Sequence, residues 1–254
     1  MNIRQAIAQS VFLVITLMAG LASAGERLTI AAAADLKIAL PEVVALYGQR
    51  QPADQVELIF GSSGKFATQI RNGAPFDLFF SADIELPRAL LRDGFAVGEV
   101  VPYALGRLVL WSTRREVAAL PLAQLAGGAI SRLAIANPKH APYGQRAAEA
   151  LRAAGAYERI AGRLVYGENI AQTAQFALSG SADAGIIALG LALTPEMQAR
   201  GHYVLIDAAL HQPLLQGFVR TRHGAASAAA QRFADFMATN EVRSLLSRYG
   251  FSKP

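Results

Sequence analysis

A chain of 254 residues, 53% hydrophobic and 17% charged, carries enough apolar material for one large core or two modest ones, which excludes intrinsic disorder. Its 22 Gly and 11 Pro follow no short period, and its 24 basic and 19 acidic residues, a formal charge of +5, are scattered and form no Lys/Arg-rich run, so repeat, collagen-like and nucleic-acid-binding classes find no support. Cysteine is absent, which removes disulfide frameworks, thiolate metal sites and cysteine nucleophiles together.

Taken in chain order, Arg4 precedes an apolar run, Val11 to Leu21, that leads to Ala22-Ser23-Ala24, an A-x-A cleavage pattern. Residues 1–24 are therefore expected to be a signal peptide cleaved after Ala24. The run is shorter than the roughly 20 residues a membrane-spanning helix needs, and no lipobox cysteine accompanies it. Arg27 to Ala32 reads as a strand, Lys37 to Arg50 as an amphipathic helix, Gln55 to Phe60 as a strand and Phe66 to Asn72 as a short helix. Leu78 to Ser81 is the next strand and Glu85 to Asp93 the next helix. Gly106 to Ser112 and Leu133 to Ala136 read as strands, Gly144 to Ala154 as a helix, Arg163 to Tyr166 as a strand, Ile170 to Ser179 as a helix and Ala184 to Ala188 as a strand. Tyr203 to Ile206 and Leu215 to Arg220 read as strands, and Ala225 to Arg248 as one long helical region. Strand alternating with helix is the signature of an α/β protein, arranged as two lobes or as one large doubly wound sheet.

In open α/β sheets ligands bind beyond the carboxyl ends of the strands, against helix N-termini. Four strand-to-helix junctions are informative: Ala31-Ala32-Ala33-Ala34-Asp35-Leu36, with side chains small enough for backbone approach; Phe60-Gly61-Ser62-Ser63-Gly64-Lys65, with two hydroxyls before a helix; Asn137 to Gly144, which offers the phenol of Tyr143; and Gly167-Glu168-Asn169-Ile170, with the backbone amides of Asn169 and Ile170. Unsatisfied N–H groups and the helix dipole make such junctions anion cradles. The second lacks the spacing of a nucleotide-binding loop. Each also has an ordinary reading: Ser62, Ser63 and Asp35 as helix caps, Tyr143 as a packed ring, and His140, His202, His211 and His223 as dispersed histidines without metal-ligand spacing. Convergence of four junctions favours the anion.

Ala32-Ala33-Ala34-Asp35-Leu36, Phe60-Gly61-Ser62-Ser63-Gly64 and Asp77-Leu78-Phe79-Phe80-Ser81-Ala82-Asp83, followed by Asn137-Pro138 to Pro142-Tyr143-Gly144, Gly185-Ile186-Ile187 and Arg248-Tyr249-Gly250-Phe251, resemble the periplasmic molybdate-binding proteins of bacterial ABC importers. The resemblance spans nearly the whole mature chain. It implies a type II periplasmic-binding-protein fold, two α/β lobes joined by two crossing strands, with lobe I over 25–105 and 214–254 and lobe II over 106–213. It also implies a monomeric, non-enzymatic periplasmic protein that takes molybdate, and tungstate with it, to an inner-membrane ABC permease, with no cofactor and no protein ligand to the molybdenum itself. The family's oxyanion contacts fall at Asp35, Ser63, Tyr143 and Ile170, with Ser62 and Asn169 beside them. Two positions depart from the family's usual pattern: Asp35 stands where Ser is common, and Ala188 where a Tyr is common, a phenol that Tyr143 can replace.

Asp35 poses an electrostatic problem. A carboxylate about 5 Å from one unit of negative charge costs roughly 3 kcal/mol at an effective dielectric near 20, and a dianion about doubles it. Three resolutions exist: the side chain turns away to cap the helix, it is protonated when ligand is bound, or a cation compensates, with Lys65 the candidate. The first is expected, because Asp is a strong N-cap. Rival readings are a binding protein for another oxyanion or small organic anion, and an exported serine hydrolase built on Ser63 and a histidine, although no G-x-S-x-G elbow is present.

Overall fold

The computed structural model describes residues 25–254; the expected signal peptide lies outside the described residues. Ten strands form two sheets of five. The first contains β1 (Arg27–Ala33), β2 (Gln55–Gly61), β3 (Leu78–Ser81), β4 (Ala96–Gly106) and β10 (Leu214–Thr221), in the order β2-β1-β3-β10-β4. The second contains β5 (Leu108–Ser112), β6 (Leu133–Ala136), β7 (Leu164–Gly167), β8 (Ala184–Ala188) and β9 (His202–Leu205), in the order β7-β6-β8-β5-β9. Each sheet has three parallel strands followed by an antiparallel one: β10 runs against β3, and β5 against β8. The chain passes from the first sheet to the second through Arg107 alone and returns into β10, whose Leu214 pairs with Gly106 at the crossing.

Strands buried on both faces read as continuous apolar runs, as in Leu108–Ser112 and Ala184–Ala188, whereas the edge strand β2 alternates exposed and half-buried positions. Of the helices of eight or more residues, α1 (Ala39–Arg50), α2 (Ser63–Arg71), α3 (Glu85–Arg92), α6 (Ala228–Met237) and α7 (Asn240–Arg248) cover the first sheet, and α4 (Pro142–Ala153) and α5 (Ile170–Leu178) the second. Leu28, Ile30 and Ala32 of β1 pack with Leu40, Val43 and Tyr47 of α1 and Phe233 of α6, while Ala31 faces Phe66 and Ile70 of α2 on the opposite side. In the second lobe Trp111 is fully buried and donates its indole N–H to the Met197 carbonyl over 3.2 Å.

The structure differs from the sequence reading at several boundaries. β4 is an additional strand, and Gly106 closes it instead of opening β5. Helix α1 starts at Ala39 because Ala34–Leu36 forms a separate 3-10 turn, and α2 starts at Ser63, directly after β2. The long C-terminal helix is two, parted where Thr239 caps the second by accepting from the Val242 N–H.

Candidate functional site

Strand register assembles the site. Ala33 pairs with Gly61 at the carboxyl ends of β1 and β2, and Ala136 with Gly167 at those of β6 and β7, so all four junctions leave their sheets at facing edges. Between them lies a cavity of about 10 Å³, room for roughly one water. Asp35, Ser62, Ser63, Tyr143, Asn169 and Ile170 all line it, three from each lobe. The N-termini of α2, α4 and α5 meet here, with first-turn backbone N–H groups that their own helices leave unpaired; α4, which opens on Pro142 and whose Gly144 N–H bonds the Ala141 carbonyl, offers that of Tyr143. A wider groove of about 990 Å³ opens beside it, sharing Ala34 and Asn169 but lined mainly by Lys37, Phe60 and the outer face of α5; it contains neither Asp35 nor Ser63. The polar convergence marks the small cavity as the candidate site.

Ser63 is 1% exposed, and its Oγ accepts the Ala82 N–H over 3.1 Å, which leaves the hydroxyl proton for another acceptor. Ser62 occupies the N-cap position without capping: its hydroxyl donates to the carbonyl of His140 over 2.5 Å, across the cleft. The N–H of Gly64 donates to that same carbonyl over 2.9 Å, and a Cβ on Gly64 would stand 2.5 Å from it, so only glycine permits the approach. Asn169 caps α5 with its side chain, its Oδ1 accepting the Gln172 N–H over 3.0 Å. Ala188 ends β8 opposite Leu108 and does not line the cavity.

Asp35 does not cap a helix. It sits inside the 3-10 turn, 2% exposed, and its Oδ2 accepts the Tyr143 phenol over 3.0 Å and the Gln216 amide over 2.6 Å. Tyr103 donates to the Gln216 Oε1 over 2.6 Å, which fixes the amide orientation so that its NH2 faces Asp35. Gly106 makes room for this cluster, since a Cβ there would lie 2.3 Å from the Tyr143 oxygen. The phenol of Tyr143 is thus engaged with Asp35. Burial raises the Asp35 carboxyl from 3.8 to about 6, opposed by the hydrogen bonds from Gln216 and Tyr143 and then by the adjacent backbone N–H groups of Asp35 and Leu36. Burial likewise pushes the Tyr103 and Tyr143 phenols well above their ordinary range. Oδ1 of Asp35 is buried without a partner.

Lys65 does not compensate Asp35. Half exposed, it forms an ion pair with Glu168 on the opposite lobe. Glu168 also lies 3.8 Å from the His140 Nε2, and His140 Nδ1 lies 2.9 Å from the Ser62 Oγ. The order Ser62, His140, Glu168 superficially suggests a nucleophile, base and acid. The Ser62 proton, however, goes to the His140 carbonyl, and the contacts bridge two lobes, which makes them a latch. Burial lowers the His140 pKa, Lys65 acts in the same direction and Glu168 opposes them. Among the described residues no group of three or more His, Cys, Asp or Glu could hold a metal ion.

Gln216 and Tyr103 were not singled out in the sequence, Gly106 was read only as the start of a strand, and Gly64 only as part of the second junction. Gln216 carried a signal, a polar residue inside an apolar strand run, and a fully buried amide needs partners.

A family model described as bacterial extracellular solute-binding protein matches residues 28–252. The molybdate-binding protein ModA of Rhodobacter capsulatus is 36% identical over 236 residues, covering 91% of this chain and 89% of that one. ModA of Azotobacter vinelandii is 33% identical over 243 residues, covering 94% and 96%. The solved periplasmic molybdate-binding protein of Azotobacter vinelandii superposes with a TM-score of 0.84 at 30% identity, covering 89% of this chain and 99% of that one. With two five-stranded lobes closing on a cavity ringed by helix N-termini, and these relatives along nearly its whole length, the chain belongs to the bacterial extracellular solute-binding proteins.

Proposed function

We propose that this protein captures molybdate, and tungstate with it, in the periplasm as a monomer and delivers it to an inner-membrane ABC permease. It binds and releases its cargo without chemical change. The observation that carries the reading is the convergence of N–H groups from α2, α4 and α5 with the Ser63 hydroxyl on one small cavity. Neutral donors fixed by the fold suit a compact oxyanion, because they cost no reorganisation when the anion arrives. An ion of five heavy atoms needs only a slight parting of the lobes, whereas a sugar phosphate needs far more than the space of one water. The names of the Rhodobacter and Azotobacter relatives specify the same ligand. Asp35, Ser63, Tyr143 and Ile170 contact the oxyanion in this reading, with Ser62 and Asn169 supporting them.

The experiment is a thermal-shift series on the mature protein with molybdate, tungstate, sulfate, phosphate and no ligand. A ligand that binds only the folded state raises Tm, by about 2.7 kcal/mol of stability at one hundred times Kd. Shifts with molybdate and tungstate are expected; a shift with phosphate or sulfate alone overturns the assignment.

A further inference from the structure

We propose that Asp35 is a proton-carrying donor of the binding site: it takes a proton from solvent as the oxyanion enters and presents it from Oδ1 to an oxyanion oxygen. The inference rests on the oxyanion reading above and adds to it a proton taken up on binding.

The geometry eliminates the alternatives. Asp35 lines the cavity, so an anion bound there lies beside it. Its side chain is not turned away into a cap, and Lys65 is committed to Glu168. Oδ2 is saturated by Tyr143 and Gln216, while Oδ1 is buried without a partner, which is costly for an ionised oxygen. A proton on Oδ1 turns that orphaned acceptor into a donor, and the oxyanion becomes its partner.

The titratable groups facing Asp35 are Tyr143 from α4 and Tyr103 from β4, both held neutral by burial, with neutral Gln216 from β10. Helix α5 and the Leu189–Ala192 turn, which pack against its 3-10 turn, contain no charged residue, and the one charged residue of β2, Glu57, pairs with Arg27 near the far end of that strand. Burial, set against the hydrogen bonds the carboxylate accepts, leaves the empty-site carboxyl at about 6, so it is mostly ionised at neutral pH. An adjacent dianion raises it further, because two like charges in one site cannot both persist. The proton therefore arrives with the ligand.

The test is titration calorimetry of the mature protein with sodium molybdate at pH 5 and pH 8, each in buffers of different ionisation enthalpy, for wild type and Asp35→Asn. For wild type at pH 8, uptake of close to one proton per molybdate is expected, with affinity falling about tenfold per pH unit above 6. At pH 5, where Asp35 already holds its proton, uptake falls to near zero. Asp35→Asn shows no uptake at pH 8 and an affinity flat between the two pH values, which also separates Asp35 from His140. Should the variant not fold, the wild-type contrast between pH 5 and pH 8 decides alone. Molybdate binding at pH 8 with no proton uptake overturns this inference and leaves the proposed function standing. Absence of molybdate binding at both pH values overturns the two together.

Discussion

The phenol of Tyr143 donates to Oδ2 of Asp35 over 3.0 Å, a hydrogen bond between residues 108 apart in sequence that ties the first turn of α4 to the turn after β1. It joins the two lobes at the cavity itself, and its strength depends on the charge of Asp35. A hydrogen bond to a charged group contributes about 1.5–3 kcal/mol, a neutral one about half of that. Tyr143→Phe should therefore lower stability more at pH 8 than at pH 5. Urea unfolding at the two pH values measures the difference; equal losses would mean that the phenol never meets an ionised carboxylate.

Asp35 also sets a pH dependence of folding. Its folded pKa, about 6, lies above the ordinary 3.8, so the unfolded chain releases this proton first as pH rises. The resulting stability is fully present below about 3.8 and is lost by about 6, on the order of 3 kcal/mol in all. Asp35→Asn should remove this loss, raising Tm relative to wild type at pH 8 and leaving it near wild type at pH 4 in ligand-free scans.

Ser63→Ala should weaken molybdate binding by about 1.5–3 kcal/mol, roughly ten- to 150-fold, because a hydroxyl donor to a charged oxygen is lost. The Ala82 N–H loses its acceptor in the same variant, so a modest fall in Tm should accompany it. Calorimetry at fixed pH separates the two effects, and wild-type affinity would remove Ser63 from the contact set.

Gly64→Ala puts a Cβ against the backbone of His140, which cannot move aside without parting the lobes. Overpacking of this kind costs about 1–3 kcal/mol. Affinity should fall roughly five- to 150-fold while the unliganded Tm stays close to wild type, and small-angle scattering should show a wider molybdate-bound molecule than wild type.

Lys65→Met, by contrast, removes only an exposed ion pair, worth less than about 1 kcal/mol. Molybdate affinity at 0.15 M salt should change less than about fivefold. A hundredfold loss would place the ammonium on the anion after all.

Much of the architecture was legible because βαβ alternation and small-residue junctions are local signals. Strand β4 was not, since Gly98 and Pro102 interrupt its run, and it forms only because β10 supplies a partner along most of its length. The four junctions were readable as anion cradles, but the state of their side chains was not. Asp35 was expected to cap, an ordinary local role; its actual partners, Tyr143 and Gln216, lie 108 and 181 residues away. Ser62, placed at a cap, spends its hydroxyl on the His140 carbonyl of the other lobe, 2.5 Å away and 78 residues on in sequence. A tertiary partner with a better-placed acceptor overrides a local preference, and no spacing in the chain announces it.

The strand order has a consequence for how the molecule is born. Every strand of the second sheet lies between Leu108 and Leu205, a continuous stretch, but β10 wedges between β3 and β4 of the first. A chain that emerges from a ribosome or a translocation channel amino end first can complete the second lobe while the first still waits for its missing member. The earlier half is thus held open until almost the last segment appears, which keeps it threadable for most of its passage and makes the carboxyl-terminal stretch, rather than the amino-terminal one, the trigger of final assembly.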